Sequence, residues 1–302
     1  MARPIKILVQ TTISRMPDNW SIDSITLARN ELAALGANVV ARDREAEPDK
    51  PSSVLAALDQ SDFDELWLFA LDQGEGLTPE DCSGITRFRQ RGGGILSTRD
   101  HQDMGSSLCT LGGIGAAHHF QTKNPESDPA RRAADDRETP TISWPNYHSG
   151  ANGDFQKITI VEPLHPLMRN SEAPSGRIEF FPSHPHEGAV DPPADDGSAR
   201  VVAKGRSQAT GRDFNLVVAF ERSLDERGNR LGRAVAESSF HHFADYNWNP
   251  DLGAPSFVTE PAGNGMKTNP RALSDIKAYV RNLAVWLTPE GRSSPPHDSE
   301  SR

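Results

Sequence analysis

Histidines and carboxylates are concentrated in three short segments of this 302-residue chain. The segments are RDHQDMG (99–105), HPHEG (184–188) and HHFADYNW (241–248). Imidazole gains or loses a proton near neutral pH, and imidazoles together with carboxylates are the ligands of many divalent metals. The three segments therefore predict acid–base chemistry, metal binding, or both.

The first and third segments contain the residues that we expect to be catalytic. Asp100 or His101 is predicted to act as a general base, with His241 as the acid partner. Arg99 is predicted to hold an anionic or polyol group of a substrate. The alternative for this segment is a helix N-cap with a hydrogen-bonded histidine.

Other polar and aromatic side chains near these segments are candidates for substrate binding. Together with Arg99, the candidates are Asp103, His118, His119, Trp144, Tyr147, His148, Asp245 and Asn247. Two groups of them have a simpler explanation. His118 and His119 follow a predicted helix, whose C-terminus stabilises histidine, and segment 144–154 could be an Ω-loop held by its own aromatic rings.

A divalent metal is a possible cofactor. His184, His186 and Glu187 have a His-x-His-Glu spacing that could present two imidazoles and a carboxylate to one zinc, iron or manganese ion. His242 or His241 could supply a further ligand. The alternative is a surface loop, because short histidine clusters also occur without a metal.

The elements that must position these residues alternate between strand and helix over the first 110 residues. Apolar runs such as IKILVQTT, DELWLFAL and GGILSTRD alternate with amphipathic or N-capped segments such as TPEDCSGITRFRQRG. Repeated strand–helix units predict a parallel sheet with helices on both faces. Ligands bind beyond the carboxyl ends of such strands, and the three segments each follow a predicted strand.

The later part of the chain is rich in predicted strands, and a helix over 269–287 follows them. We expect these strands to continue the sheet with antiparallel additions. The predicted fold class is α/β, a three-layer α/β/α flavodoxin-like fold with a mostly parallel sheet. Residues 1–288 are predicted to form one domain with an excursion over 121–153, and 289–302 a disordered tail.

Composition argues against several classes of function. The formal net charge of −10 disfavours a nucleic-acid binder, and no apolar run approaches the ~20 residues of a membrane helix. The N-terminus lacks the pattern of a signal peptide, and two cysteines do not suggest a disulfide framework. We therefore expect a cytoplasmic protein with a small-molecule ligand, no nucleic-acid or membrane partner, and a possible homo-oligomeric state.

The order of elements resembles the class I glutamine amidotransferase-like superfamily, in particular its trehalose-utilisation (ThuA-like) branch. The resemblance rests on DELWLFA, a helix, GGG, a strand and an elbow, on LHPLM (164–168), and on GRAVAESSFHH. His241 matches the family's catalytic histidine. Arg99 and Asp100 stand at the elbow where the nucleophilic cysteine would be, and Phe243 replaces the expected glutamate. The resemblance implies this fold, no glutamine hydrolysis through a thioester, and a carbohydrate-derived ligand.

Two functions follow from these observations. The first is an enzyme of hydrolase or isomerase type that acts on a small polar molecule by acid–base or metal-assisted chemistry. The second is a non-catalytic ligand-binding or assembly module on an amidotransferase-like fold. A scaffold has no physical need for several titratable groups to converge, so convergence of the histidines would favour the enzyme. A flavodoxin-type redox protein is disfavoured, because QTTISRMPDNW after the first strand contains no glycine.

Overall fold

A computed structural model describes residues 3–45, 47, 49–132, 134–137, 139 and 141–290. The strands in this part of the chain are β1 (Lys6–Thr11), β2 (Asn38–Arg42), β3 (Glu65–Phe69), β4 (Gly94–Thr98), β5 (His118–His119), β6 (Phe155–Lys157), β7 (Thr159–Ile160), β8 (Phe180–Pro182), β9 (Ala189–Val190), β10 (Ala199–Arg206), β11 (Asp213–Phe220), β12 (Ser223–Leu224), β13 (Arg230–Leu231) and β14 (Ala234–Glu237).

The α-helices are α1 (Thr26–Ala34), α2 (Pro79–Gln90), α3 (Asp245–Trp248), α4 (Gly265–Thr268) and α5 (Pro270–Leu287). Short 3₁₀ helices occupy Ile22–Ile25, Leu58–Gln60, Ser106–Leu111, Gly113–Ala117, Pro129–Arg131, Pro166–Met168, Phe240–His242 and Pro250–Leu252. No helix in the described ranges is both long and apolar enough to cross a membrane.

An eight-stranded sheet in the order β2-β1-β3-β4-β14-β11-β10-β7 forms the centre of the fold. The first five of these strands are parallel to their neighbours. Strands β11, β10 and β7 extend the sheet with antiparallel pairing. The predicted α/β class, with a mostly parallel sheet and antiparallel additions, is confirmed.

Successive residues of the central strands point to opposite faces, as the two-residue period of a strand requires. On one face, Val9 and Phe69 belong to the apolar core that includes Ile276 of α5. On the other face, Leu8 and Leu68 belong to the core that includes Phe88 of α2, among others. The sheet is therefore covered on both faces, which gives the three predicted layers.

Helices α2 and α5 begin at residues that favour the start of a helix. Thr78 and Asp81 form a capping box at the start of α2, with Pro79 at its first position. The Asn269 side chain accepts hydrogen bonds from the backbone at the start of α5. Gly36, just beyond α1, has a φ of +86°, which glycine adopts without strain.

Some predicted elements differ from the structure. The run FQKITIVE (155–162) predicts one strand, but the structure divides it between two sheets, because β6 pairs with β8 while β7 pairs with β10. The backbone N–H of Ile158, between β6 and β7, donates to the carbonyl of Glu179, the residue before β8, at 2.9 Å. The runs SSVLAALDQ (52–60) and GSSLCTL (105–111) also predict helices, but the helical residues that the structure has there are 3₁₀, over Leu58–Gln60 and Ser106–Leu111. Within the predicted tail, residues 291–302 lie outside the described residues.

Candidate functional site

Asp100 and His241 meet at the carboxyl ends of two neighbouring parallel strands. Strands β4 and β14 pair in register up to Thr98 and Glu237, so the turns that follow them leave the sheet at the same edge. One carboxylate oxygen of Asp100, Oδ2, lies 3.6 Å from His241 Nε2. This is the predicted edge, where ligands of open α/β sheets bind.

His184 approaches the same point from outside the main sheet. It follows β8, which pairs with β6 in a separate two-stranded sheet and does not join the sheet that contains β4. His184 Nε2 lies 3.2 Å from Asp100 Oδ1. Its ring stacks on His241 with the centroids 3.6 Å apart and the planes at 12°. The stacking brings both Nε2 atoms to one carboxylate.

Gly188 holds the HPHEG segment against both strand ends. Its backbone N–H donates to the Ser238 carbonyl at 3.1 Å. A Cβ atom at position 188 would lie 2.7 Å from the carbonyl oxygens of both Asp100 and Ser238. Because this is closer than real Cβ contacts, only glycine allows the three segments to approach one another.

Two asparagines determine which nitrogen of each imidazole carries a proton. Asn247 Nδ2 donates to the backbone carbonyl of Ser183 and to Asn152 Oδ1, both at 2.9 Å. Asn247 Oδ1 therefore accepts from His241 Nδ1 at 2.9 Å, and Asn152 Oδ1 accepts from His184 Nδ1 at 3.0 Å. In both neutral rings the proton is on Nδ1, and Nε2 presents a lone pair.

These lone pairs face an ionised carboxylate. Burial alone would raise the pKa of Asp100, but His101, whose Nδ1 lies 3.2 Å from Asp100 Oδ1, holds that pKa well below its usual value. Burial, and after it the neighbouring His241, hold the pKa of His184 well below its usual value. The cluster therefore combines a negative charge with an unprotonated nitrogen, an arrangement that a cation would complete.

This cluster lies in a cavity of about 540 Å³. The carboxylates in its lining are those of Asp72, Glu75, Asp100 and Glu260, and its imidazoles are those of His101, His184, His186 and His241. An apolar wall includes Trp20 and Phe257. Among the described residues, no lysine or arginine lines the cavity. The predicted catalytic residues are thus together in a cavity suited to an uncharged or cationic molecule.

His186 also lines the cavity, but other partners engage both of its nitrogens. Its Nδ1 lies 3.1 Å from Asn146 Oδ1 and 3.2 Å from Asp136 Oδ2. Its Nε2 lies 3.1 Å from Glu260 Oε1. The structure therefore does not bring an imidazole nitrogen of His186 to the group around Asp100.

Glu187 and His242 form a buried ion pair behind the cavity. His242 Nε2 lies 3.2 Å from Glu187 Oε1, and Nδ1 lies 3.0 Å from Glu237 Oε2. Burial alone would lower the pKa of His242, but the two carboxylates raise it to about 10. The four residues predicted to bind a metal are therefore not brought to one point, because two of them pair with each other inside the protein.

Arg99 lies in the interior instead of at the cavity wall. Its guanidinium donates to the carbonyls of Asp100 at 2.5 Å and Gln102 at 2.6 Å, and also to that of His119. The guanidinium carbon lies 4.0 Å from the centre of the Phe120 ring, and burial lowers the pKa of Arg99 to about 9. Arg99 is thus placed to hold the turn that carries Asp100 rather than to contact a ligand.

The next three substrate-binding candidates lie outside the cavity lining. Asp103 accepts two hydrogen bonds from Thr122 at 2.9 Å. His118 Nε2 lies 2.8 Å from Ser97 Oγ, and burial holds the pKa of His118 well below its usual value. His119 Nδ1 lies 2.9 Å from a backbone carbonyl. Each side chain has a local partner that accounts for its position.

The aromatic candidates pack against one another and against the sheet. Trp144 Nε1 lies 3.3 Å from Tyr147 Oη, and the Tyr147 ring stacks on Phe214 with the centroids 4.7 Å apart. His148 Nδ1 faces the carbonyl of Pro185 at 3.3 Å. The Trp144–Tyr147 contact fits the alternative interpretation, a loop held by its own aromatic rings, and the stacking on Phe214 adds a contact with β11.

The last two candidates support other elements. The Asp245 carboxylate accepts from the backbone N–H groups of Thr26 at 3.0 Å and Leu27 at 2.7 Å, at the start of α1. Asn247 does not line the cavity, yet it sets the tautomer of His241 as described above. Asn247 therefore orients a cavity residue without lining the cavity itself.

Several residues that line the cavity were not predicted from the sequence, and three of them contact its histidines. Asn152 orients His184, Glu260 pairs with His186, and Trp20 packs edge-on to His241 with ring centroids 5.1 Å apart. Asn152 lies between Gly150 and Gly153, and such a pair of glycines is a sequence signal for close contact between backbone segments. No sequence signal singled out the other two, because their partners are distant in the chain.

No protein-family model matches this chain, and no curated protein matches it. The N-terminal domain of mmIFT52 is similar in structure, with a TM-score of 0.47 and 10% identity over 79% of this chain and 88% of that one. The glutaminase domain of CTPS from Trypanosoma brucei, with bound acivicin, gives a TM-score of 0.45 and 14% identity over 95% and 98%. A ThuA-like protein from Parabacteroides merdae gives 0.46 and 14% over 93% and 90%.

These values are too low to support an argument about family, activity or ligand. The fold assignment therefore rests on the strand order and pairing of the chain itself. The interpretation of the site rests on the contacts around Asp100.

Proposed function

We propose that this chain is an enzyme that acts on a small polar molecule bound in the cavity. The observation that carries the proposal is the convergence of Asp100, His101, His184 and His241 on one cavity. Asp100 would accept a proton from the substrate or from water, and His241 or His101 would return one. A side chain that exchanges a proton must be within reach of the bound molecule, and all of these residues line the cavity.

The lining favours an uncharged or cationic substrate over an anionic one. Carboxylates without a facing lysine or arginine produce a negative potential that repels phosphate and carboxylate groups. The apolar wall at Trp20 and Phe257 offers a surface for the carbon face of a ring. A neutral or amino sugar is an uncharged or cationic molecule of this kind. The resemblance to the ThuA-like branch implies such a carbohydrate-derived ligand, and we propose that family relationship together with the function.

Glutamine hydrolysis is not part of the proposed activity. The elbow after β4 carries Asp100 in place of a cysteine, and neither Cys82 nor Cys109 lines the cavity. Burial raises the pKa of Cys109 to about 11, which disfavours its thiolate.

A ligand screen followed by a turnover assay tests the proposal. Neutral sugars, keto-sugars and amino sugars are compared with sugar phosphates and sugar acids by thermal shift, and stabilising ligands are then followed by proton NMR. We expect neutral or amino sugars to stabilise the protein and at least one to be converted. Asp100→Asn should lower kcat by about 100-fold or more, because it removes the base.

The control is Asp59→Asn, which removes a carboxylate that pairs with Arg87 far from the cavity. It should leave kcat unchanged. A ligand that binds the wild type and is recovered unconverted would favour the non-catalytic binding module. Preferential binding of sugar phosphates would contradict the proposed substrate class.

A further inference from the structure

We propose that Asp100, His184 and His241 bind one divalent transition-metal ion, such as zinc, iron or manganese, at the inner end of the cavity. The inference deepens the proposed function and rests on it only for the use of the metal in turnover. The ligand set differs from the one that the sequence suggested, because His186, Glu187 and His242 have other partners.

Each of the two imidazole nitrogens lies at a distance from one Asp100 carboxylate oxygen that two ligands of one ion can have. Metal–nitrogen and metal–oxygen bonds of about 2.0–2.2 Å place two ligands of the same ion roughly 3.0–3.6 Å apart. The distances from the Asp100 carboxylate oxygens are 3.2 Å to His184 Nε2 and 3.6 Å to His241 Nε2. All three ligand atoms lie within 4.8 Å of one another.

The tautomers of the two histidines are those of metal ligands. A metal-binding histidine usually donates its second N–H to a fixed acceptor, which orients the ring and its lone pair. Here Asn247 and Asn152 accept from Nδ1 of His241 and His184, and the carbonyl of Ser183 fixes the orientation of Asn247. Without a cation, the two lone pairs would face the Asp100 carboxylate, which is repulsive.

The surrounding charge also favours a cation. The cavity has four carboxylates in its lining and no lysine or arginine among the described residues. The nearby guanidinium of Arg99 donates to backbone carbonyls and is not part of the cavity lining. The rival occupant is a proton shared by Asp100 with an imidazole, since His101 Nδ1 also lies 3.2 Å from Asp100 Oδ1.

A second group of potential ligands lies elsewhere and is less suited to a metal. His119, Glu126 and Asp191 also have ligand atoms within 4.8 Å of one another. Arg131 already pairs with Glu126 at 3.2 Å and with Asp191 at 3.1 Å. A metal there would have to displace the guanidinium, whereas no cationic side chain of the described residues occupies the cavity site.

The proposed ion would have a chemical use in the cavity. Two imidazoles and one carboxylate leave coordination positions open on the cavity side, where water or a substrate oxygen can bind. A divalent metal polarises such an oxygen and lowers the pKa of bound water. With the ion bound, Asp100 and His241 would serve as its ligands rather than as base and acid, and His101, which also lines the cavity, would be the side chain left to exchange a proton with the substrate.

Metal binding by the full-length protein tests the inference independently of turnover. Chelator-washed protein is titrated with Zn²⁺, Mn²⁺, anaerobic Fe²⁺ and Co²⁺, with elemental analysis for stoichiometry and the visible spectrum of cobalt for coordination. We expect about one equivalent per chain. His184→Gln, His241→Gln and Asp100→Asn should each weaken binding by about 100-fold or more, a larger loss than removal of an outer partner causes.

Circular dichroism and thermal unfolding show whether each variant folds, and Asp100→Asn keeps the size of the side chain. The matched controls are His186→Gln, a cavity histidine outside the ligand set, and His119→Gln, in the rival group. Both should retain the equivalent of metal.

The inference is overturned if no tested metal binds the wild type, or if His119→Gln loses the metal while the three ligand variants keep it. Turnover by a protein that binds none of the tested metals would leave the enzyme proposal intact and assign the site to a proton. Metal binding without turnover of any screened ligand would keep the metal site and contradict the enzyme proposal.

Discussion

His241 and His242 are adjacent in the sequence, but their side chains have opposite surroundings. His241 is backed by the neutral carboxamide of Asn247 and presents Nε2 to the cavity. His242 has a carboxylate at each nitrogen, from Glu237 and Glu187, and lies wholly inside the protein. Partners, rather than residue type, therefore decide whether a buried histidine is fixed as a cation or is placed to bind a metal.

The two regions also depend on each other. Glu187 follows His184 by three residues, and His242 directly follows His241, so the buried ion pair joins the two segments that carry the cavity imidazoles. The Glu187 carboxylate additionally accepts from Ser238 at 2.9 Å. The ion pair therefore stabilises the fold at the place where the site needs two distant segments to stay together.

Removal of His242 should have the largest effect of the changes considered. His242→Ala leaves the buried carboxylates of Glu187 and Glu237 facing each other without a cation. We expect the free energy of unfolding to fall by about 3–5 kcal/mol, as measured by chemical denaturation with the metal removed.

The neighbouring substitution His241→Ala is the matched control. It removes an imidazole that lines the cavity, and Asp100 keeps its contacts with His101 and His184. The free energy of unfolding should therefore fall by less than about 2 kcal/mol. Metal binding should nevertheless be lost. Equal destabilisation by both substitutions would contradict the distinction between the two histidines.

The partner behind His241 should control its affinity for a metal. Asn247→Leu removes the acceptor of the His241 Nδ1 proton, so the ring is no longer held with its lone pair toward Asp100. We expect metal affinity to fall by about 10–100-fold, as measured by competition with a chelator of known affinity.

Asn282→Leu provides the comparison for that experiment. Asn282 donates to the backbone carbonyls of Leu167 and Arg169, far from the cavity. Its replacement should lower stability without changing metal affinity. An unchanged affinity in Asn247→Leu would show that the tautomer of His241 does not depend on the asparagine.

The sequence predicted the sheet edge of the site better than its far wall. Asp100 and His241 follow apolar strands, and the edge at which neighbouring parallel strands end is a general property of the fold. The position of His184 was not predictable in this way, because β8 pairs with β6 outside the main sheet. Its approach to Asp100 depends on long-range contacts at Gly188.

The sequence could not reveal which charged residues face inward. Arg99 precedes Asp100 and has the character of a ligand anchor, yet its guanidinium binds backbone carbonyls. Glu187 and His242 have the residue types of metal ligands, but each satisfies the other. Such pairings join residues far apart in the chain, so local patterns contain no information about them.

A third histidine, His165, tests whether the carboxylates set the charge of a buried imidazole. It has one half-exposed carboxylate partner, Glu221 at 3.3 Å, and the cationic side chains of Arg200 and Arg233 nearby. Burial, and after it Arg200, lower the pKa of His165 to about 4. This is the opposite direction from His242.

Because the folded-state pKa is below the unfolded value of about 6.5, the stability from neutral His165 is present above that pH and is lost as the pH falls toward 4. As the pH falls from 6.5 to 5, the free energy of unfolding of the wild type should therefore decrease by up to about 2 kcal/mol more than that of His165→Gln. Denaturation curves at both pH values measure the difference. Parallel losses in the two proteins would contradict a depressed pKa.

The smallest effect is expected at the apolar wall of the cavity. Phe257 is 57% exposed and has little to contribute to folding, but it lines the cavity beside the histidines. Phe257→Ala should change the free energy of unfolding by less than about 0.5 kcal/mol. It should weaken binding of a neutral ligand found by the screen by about 3–10-fold, because a stacked ring contributes about 1 kcal/mol.

Leu252→Ala is the control, because Leu252 is a similarly exposed apolar side chain that does not line this cavity. It should leave the affinity for the same ligand, measured by calorimetry, unchanged. Equal affinity in the Phe257 variant would mean that the ligand contacts only the polar groups around Asp100, and the proposed substrate would then need no apolar face.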